Sequence, residues 1–277
     1  MYNSLMLKIE SVTSTLSTRT MMARYCLANL AFLLVLTSPH VRGQQGTTVQ
    51  ITDGVYNFNL WALEVPYTSL FVVTGYGVID PINTDSAQAL LASIRNVTDE
   101  PIRYVFYSHD HWDHTSGGQV FKNEGAEIIA HTDANEWIKD NTGDDQIPAD
   151  VSWYGDQTHY HLGKFTMELH YFGASHGNGM TIFVVNSSPR VAYLADIAAV
   201  KSTGPIYLPE FDTKGWEYTL EKALLLDFEK AVCSPTPHPR VELSKILQTI
   251  SSMSRTSGQG SELSLRKEQI LLQFPVF

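Results

Sequence analysis

From Thr47 the chain runs in short, largely apolar stretches broken by polar turn residues: TTVQIT, VYNFNLWAL, TSLFVVTG and YGVIDP. Each is rich in Val, Ile, Thr and aromatics and bounded by Gly, Asp or Pro. That pattern predicts β-strands joined by turns. The period then changes. NTDSAQALLASIRNV opens on Thr84, Asp85 and Ser86 and sets Ala87, Leu90, Leu91 and Ile94 at the spacing of a one-sided helix. PIRYVFYS is nearly continuously apolar, which predicts a buried strand, and its carboxyl end leads into SHDHWDHTSGG at residues 108–118. A short helix over Gly118–Asn123, a strand at AEIIAH, a helix around DANEWIKD and a Gly/Asp/Pro loop over Asn141–Ala149 follow. Strand patterns resume at FTMELHYFG, MTIFVVN and RVAYLAD, and WEYTLEKALLLDF reads as an amphipathic helix before the brief strand KAVC. Strands with interposed helices in two similar halves predict an α/β core of layered sheets with helices outside.

Both ends break this pattern, which divides the chain into residues 1–43, 44–233 and 234–277. Near the start, Arg24 precedes the apolar run CLANLAFLLVLT, followed by SPHVRGQQG. The run is too short to span a bilayer comfortably and fits a secretory signal over about residues 21–43, with translation starting at Met21 or Met22. A secreted, extracellular or periplasmic address follows, with an uncleaved membrane anchor as the alternative and no stable membrane span if the signal is cleaved. From Ser234 the chain becomes rich in Ser and Pro with only a weak helical pattern, so residues 234–277 are expected to form a poorly ordered tail.

Composition narrows the partners. Residues that are 43% hydrophobic and 17% charged suit one sizeable globular core. A net charge of −10 without a Lys/Arg block argues against a nucleic-acid or anionic-membrane partner. The two cysteines are Cys26, inside the signal, and Cys233, so a mature secreted chain would hold no internal disulfide. Asn96 in NVT and Asn186 in NSS are glycosylation acceptors if the chain enters a eukaryotic secretory pathway.

The chemistry concentrates in SHDHWDHTSGG, with three histidines and two aspartates in seven positions. Imidazole and carboxylate are ligands that borderline divalent cations prefer. His109 and His111, two apart at a strand end, can face one ion, and Asp113 and His114 lie a turn further on, able to address a neighbouring one. Thr115-Ser116-Gly117-Gly118 supplies a tight turn and a helix start that would hold the loop rigid. Without a cation, such a cluster would be costly to bury.

HDHWDH resembles the H-x-H-x-D-H motif of the metallo-β-lactamase superfamily. VVTGYGVIDP is similar to that family's early strand pair, and GASHGNGMTIF and RVAYLADI to its later segments, in matching order and spacing over roughly Val49–Cys233. The resemblance implies a four-layer αββα sandwich. It also implies two zinc ions, one held by His109, His111 and His176 and the other by Asp113 and His114, with Asp196 bridging. A zinc-bound hydroxide would attack an ester, thioester, lactone or lactam carbonyl, with Asp113 orienting the water and carrying a proton as the catalytic residue, and Asp80 fixing a ligand tautomer.

The chain departs from the family pattern after KAVC, where a Gly-His-Gly-like turn would supply the last ligand of the second zinc and Ser234-Pro235-Thr236 stands instead. His238 lies a few positions late between two prolines, a weak substitute. An ending of this kind would suit a splice form or faulty gene model, and it leaves open a metal-binding but catalytically impaired member holding a single zinc. A mononuclear iron oxygenase on the same fold ranks below both, because Asp113 and His114 would be surplus. Trp112 inside the motif resembles glyoxalase II-like thioesterases, but no basic cluster for glutathione accompanies it. His131, His159, His161 and His170 lack partners at ligand spacing and read as structural or surface residues.

Overall fold

A computed structural model describes residues 46–234 apart from 63–64, 73–76, 142, 144 and 199–210. The chain divides into two units, Met1–Gly43 and Gln44–Phe277, and every described residue lies in the second. The signal run, His238 and the Ser-rich ending fall outside the described residues. Among the described residues no helix is long and apolar enough to cross a membrane.

Two sheets form the centre. The first has seven strands in chain order: β1 (Thr47–Thr52), β2 (Val55–Ala62), β3 (Val65–Val72), β4 (Gly77–Ile79), β5 (Tyr104–Phe106), β6 (Glu127–His131) and β7 (Val151–Trp153). Neighbouring strands from β1 to β4 pair antiparallel, whereas β4 to β7 run parallel because helices α1 (Thr84–Arg95), α3 (Gly118–Asn123) and α4 (Thr132–Asp140) lie in their connections. A single helical turn, α2 (Trp112–Thr115), interrupts the loop after β5. The second sheet comprises β8 (Gln157–Leu162), β9 (Phe165–Tyr171), β10 (Thr181–Val185), β11 (Val191–Ala195) and β12 (Lys230–Ser234), spatially ordered β12-β11-β10-β9-β8. β12 returns parallel to β11 after helix α5 (Thr213–Ala223).

Strand alternation builds the layers. On β3, Leu70 and Val72 pack with Met167, Phe183 and Tyr193 of the second sheet, while Tyr67 and Phe71 join Leu90, Ile94 and Phe121 of the helices on the other side. On the far side of the second sheet, Ile182 and Val184 share the core with Leu220 and Ala223 of α5. The described residues thus give helix, sheet, sheet and helix layers, as the sequence pattern predicted.

Helix boundaries follow the sequence closely. Asn83 is extended and its side chain accepts from Ser86 N, capping α1, while Asp212 does the same for α5 through Lys214 N. The amphipathic pattern around WEYTLEKALLLDF gives a helix that starts earlier and stops at Ala223, where Leu224 becomes its C-cap.

Candidate metal centre

The carboxyl ends of the parallel strands β4 and β5 open onto one edge of the sandwich, the usual place for ligands in a parallel sheet. Asp80 follows β4 and SHDHWDH follows β5. Asp80 takes a left-handed backbone conformation, φ 55°, with its amide donating to Phe106 O at 3.0 Å. His176 comes from the β9–β10 loop. Asp196 follows β11, also left-handed at φ 51°. Thr181 N donates to Ser108 O at 2.7 Å, tying the second sheet to the β5 end.

Two glycines permit the close approach. A Cβ on Gly117 would lie 2.5 Å from Pro81 O and 2.8 Å from Asn83 O, so only glycine lets this turn pack on the start of α1. A Cβ on Gly177 would lie 2.7 Å from Asp110 Oδ1, 2.9 Å from His109 Cδ2 and 3.1 Å from His111 Nε2. The His176 loop therefore reaches the histidines because its next residue has no side chain.

Four ligand atoms converge here: one each from His109, His111, His176 and Asp196 lies within 4.8 Å of the others. The imidazoles pack edge to face, with ring centroids 4.4 Å apart for His109 and His111 and 4.8 Å for His111 and His176. Nε2 of His109 and Nε2 of His176 are buried without a hydrogen-bond partner. The second lies 3.3 Å from Asp196 Oδ2. Buried polar atoms left in this state are costly, and a shared cation satisfies them together. Burial, reinforced by His111 and His114, holds the His109 pKa well below the usual histidine range. Burial and then His176 lower that of His111. Neutral imidazoles are the form a metal takes.

His114 sits between two carboxylates, its Nδ1 2.9 Å from Asp80 Oδ2 and its Nε2 3.1 Å from Asp196 Oδ2. Burial opposes a charge on His114, but Asp196 and Asp80 outweigh it and hold its pKa well above the ordinary value. Burial likewise acts against the Asp196 carboxylate, and His114 prevails, keeping it ionised well below the usual carboxylate range. Asp113 stands apart from the four converging atoms. Its Oδ2 accepts a hydrogen bond from Tyr67 OH at 2.9 Å. Burial first, and then the Asp113 charge, push the Tyr67 phenol far above its normal pKa, so it remains a donor.

Behind the converging side chains lies a polar layer of which the family resemblance implied Asp80 alone. Asp80 accepts from Ser108 N at 2.8 Å and from Ser108 Oγ at 2.7 Å, and Ser108 Oγ contacts His109 Nδ1 at 2.8 Å. Through these bonds one buried carboxylate orients both His109 and His114. Asp110, in the first variable position of the motif, accepts from Asn178 N and Asn178 Nδ2, both at 2.7 Å, which clamps the His176 loop to the His109–His111 loop. Gln146 Nε2 donates to Asp110 O at 2.7 Å and to Thr115 Oγ1 at 2.6 Å. Ser108 and Asp110 are visible beside the histidines in sequence; Tyr67, Tyr193, Gln146 and Asn178 carry no local signal.

The other sequence-stretch histidines lie elsewhere. His131 caps α4 by accepting from Asp133 N, stacked on Tyr171. His159 and His161 share an exposed face of β8, and His170 Nε2 lies 3.2 Å from Glu168. Trp112 is 57% exposed beside the site, whereas Trp153 is buried in the core.

A model of the metallo-beta-lactamase superfamily matches residues 68–235. The 2,4-dinitroanisole O-demethylase subunit alpha of Nocardioides sp. (strain JS1661) is 31% identical over 198 residues, which is 70% of this chain and 56% of that protein. The chain thus spans little more than half the length of that curated relative. Among solved structures, a metallo-beta-lactamase from Pontibacter korlensis superposes with a TM-score of 0.66 at 17% identity, covering 76% of this chain and 99% of the other. A second, from Erythrobacter litoralis, gives 0.63 at 16% identity over 76% and 97%. At such identities the likeness concerns the fold alone.

Proposed function

The chain belongs to the metallo-β-lactamase superfamily, and from that premise we propose that it is a zinc-dependent hydrolase of a small-molecule ester, thioester, lactone or lactam. The observation that carries this reading is the convergence of His109, His111, His176 and Asp196 with two buried imidazole nitrogens lacking any other partner. The donor set of three imidazoles and a carboxylate suits zinc. When bound, zinc would acidify a coordinated water to near neutral pH and polarise the carbonyl under attack.

The chain's own residues supply the rest. His109 and His111 present neutral nitrogens, His176 adds a third imidazole, and the ionised Asp196 lies within reach of both His176 and His114. Asp80 accepts from His114 and so directs its other ring nitrogen toward Asp196. Asp113, with Oδ2 engaged by Tyr67, has Oδ1 to take a proton from the attacking water and return it to the leaving group. A second ion would be held by Asp113, His114 and Asp196. Because Ser234-Pro235-Thr236 stands where the last ligand of the second zinc is expected, occupancy by a single zinc is the alternative state of the same site.

A second reading rests on the demethylase relative: the same attack directed at an electron-poor aryl methyl ether, releasing methanol. The test is one panel: a nitrophenyl ester, a thioester, a lactone, a β-lactam and a dinitrophenyl methyl ether, each with zinc-loaded and chelator-stripped protein. Zinc-dependent turnover of a carbonyl substrate supports the first reading, turnover of the ether alone moves the assignment to the second, and turnover that survives stripping sinks both. The secreted or periplasmic address, argued from the Arg24–Thr37 pattern, is part of the same proposal.

A further inference from the structure

Resting on the metal reading above, we propose that Tyr67 is a positioning residue for Asp113: its hydroxyl holds Oδ2 and leaves Oδ1 as the oxygen available to a metal or to its water. The hydrogen bond is 2.9 Å long and spans 46 positions of sequence. Three successive residues of β3 bear on the site's two aspartates, one at a carboxylate, one through Tyr193 and one at a main-chain carbonyl. Tyr67 donates to Asp113, Thr68 O accepts from the Tyr193 hydroxyl that also lies 3.1 Å from Asp80 Oδ2, and Ser69 Oγ donates to Asp80 O at 2.6 Å. β3 is thus a brace under both aspartates.

The ring alone does not explain the residue. Tyr67 is buried in the apolar layer with Phe58, Leu60, Phe71 and Val78, and its ring meets His114 edge-on at 6.0 Å. Phenylalanine would fill that space equally well, so the buried hydroxyl needs its own reason. Asp113 provides one. The aspartate sits in the single turn α2, where a short side chain on so brief an element has little else to fix its rotamer. The cross-strand register Leu60↔Tyr67 fixes the donor, and the donor fixes the carboxylate.

The test is a double-mutant cycle read in zinc dissociation constants by chelator competition, using the full chain, Tyr67→Phe, Asp113→Ala and the double variant. Tyr67→Phe is expected to weaken by about tenfold the zinc that Asp113→Ala also weakens, as loss of an outer hydrogen bond to a ligand does, and to add nothing in the Asp113→Ala background. An unchanged constant in Tyr67→Phe, or a loss equally large without Asp113, overturns the proposal. If Asp113→Ala does not fold, the cobalt(II) absorption of Tyr67→Phe decides: altered bands support the brace and an unchanged spectrum refutes it. A wild-type chain that takes up no zinc refutes the metal reading itself, and the inference with it.

Discussion

Gly177 shows how tightly single residues are specified at the centre. Its missing side chain leaves the space where Asp110, His109 and His111 meet the His176 loop, so Gly177→Ala should push His176 away from its partners. The expected result is a loss of zinc affinity of about tenfold or more with the circular dichroism of the wild type retained; unchanged affinity would mean that the loop yields freely. At this scale His109 and His111 were legible in their H-x-H spacing at a strand end, and His176 and Asp196 through the family resemblance of the segments that carry them. Tyr67, Tyr193 and Asn178 were not. Each reaches its carboxylate across the fold, through side chains of kinds that ordinarily serve cores and turns, and no local pattern separates them from those uses.

At the level of elements, the junction of β6 and α4 carries a pH dependence separate from the metal ligands. His131 accepts from Asp133 N to cap α4, stacks on Tyr171 and meets Trp153 edge-on, with Asp133 Oδ2 at 3.7 Å and hydrogen-bonded to the Tyr171 hydroxyl. Burial lowers its pKa, with Asp133 opposing in part. The unfolded chain therefore binds this proton first. The contribution is fully present above the unfolded value of about 6.5 and is lost as pH falls below it toward the folded pKa. His131→Asn keeps a cap-capable side chain without the titration, so its unfolding free energy should fall less steeply than wild type between about pH 6.5 and 5. Parallel slopes in urea titrations would contradict the assignment. Most elements were readable in the sequence, since both faces of β5, β10 and β11 are covered and their apolar runs are nearly continuous, but β7 and β8 were missed because they are short or largely exposed and carry few apolar residues. Which strands share a sheet was not readable from period alone, because pairing is settled by contacts far apart in sequence.

Among the described residues the two sheets pack through an apolar core and also meet at the edge where His109, His111, His176 and Asp196 converge. The first sheet brings His109, His111, Asp113 and His114, and the second brings His176 and Asp196, so a bound cation would link the halves. Zinc at a hundred times its dissociation constant should stabilise the fold by about 2.7 kcal/mol. Cys233 offers a way to see it, because the thiol is buried in β12 and its pKa is pushed up to about 12 by that burial. In a Cys26→Ser chain, a thiol reagent should reach Cys233 only through unfolding, and zinc at that excess should slow the reaction about a hundredfold. A rate indifferent to zinc would show that Cys233 is exposed by local opening instead.

The most direct test of the account is the zinc content per chain, by elemental mass spectrometry after reconstitution and gel filtration, of the wild type beside His176→Ala. The account predicts that the wild type retains zinc and that His176→Ala, which takes one of the converging imidazoles away, loses most of it. Equal retention in both, or none in the wild type, would contradict the claim that these residues form a metal centre.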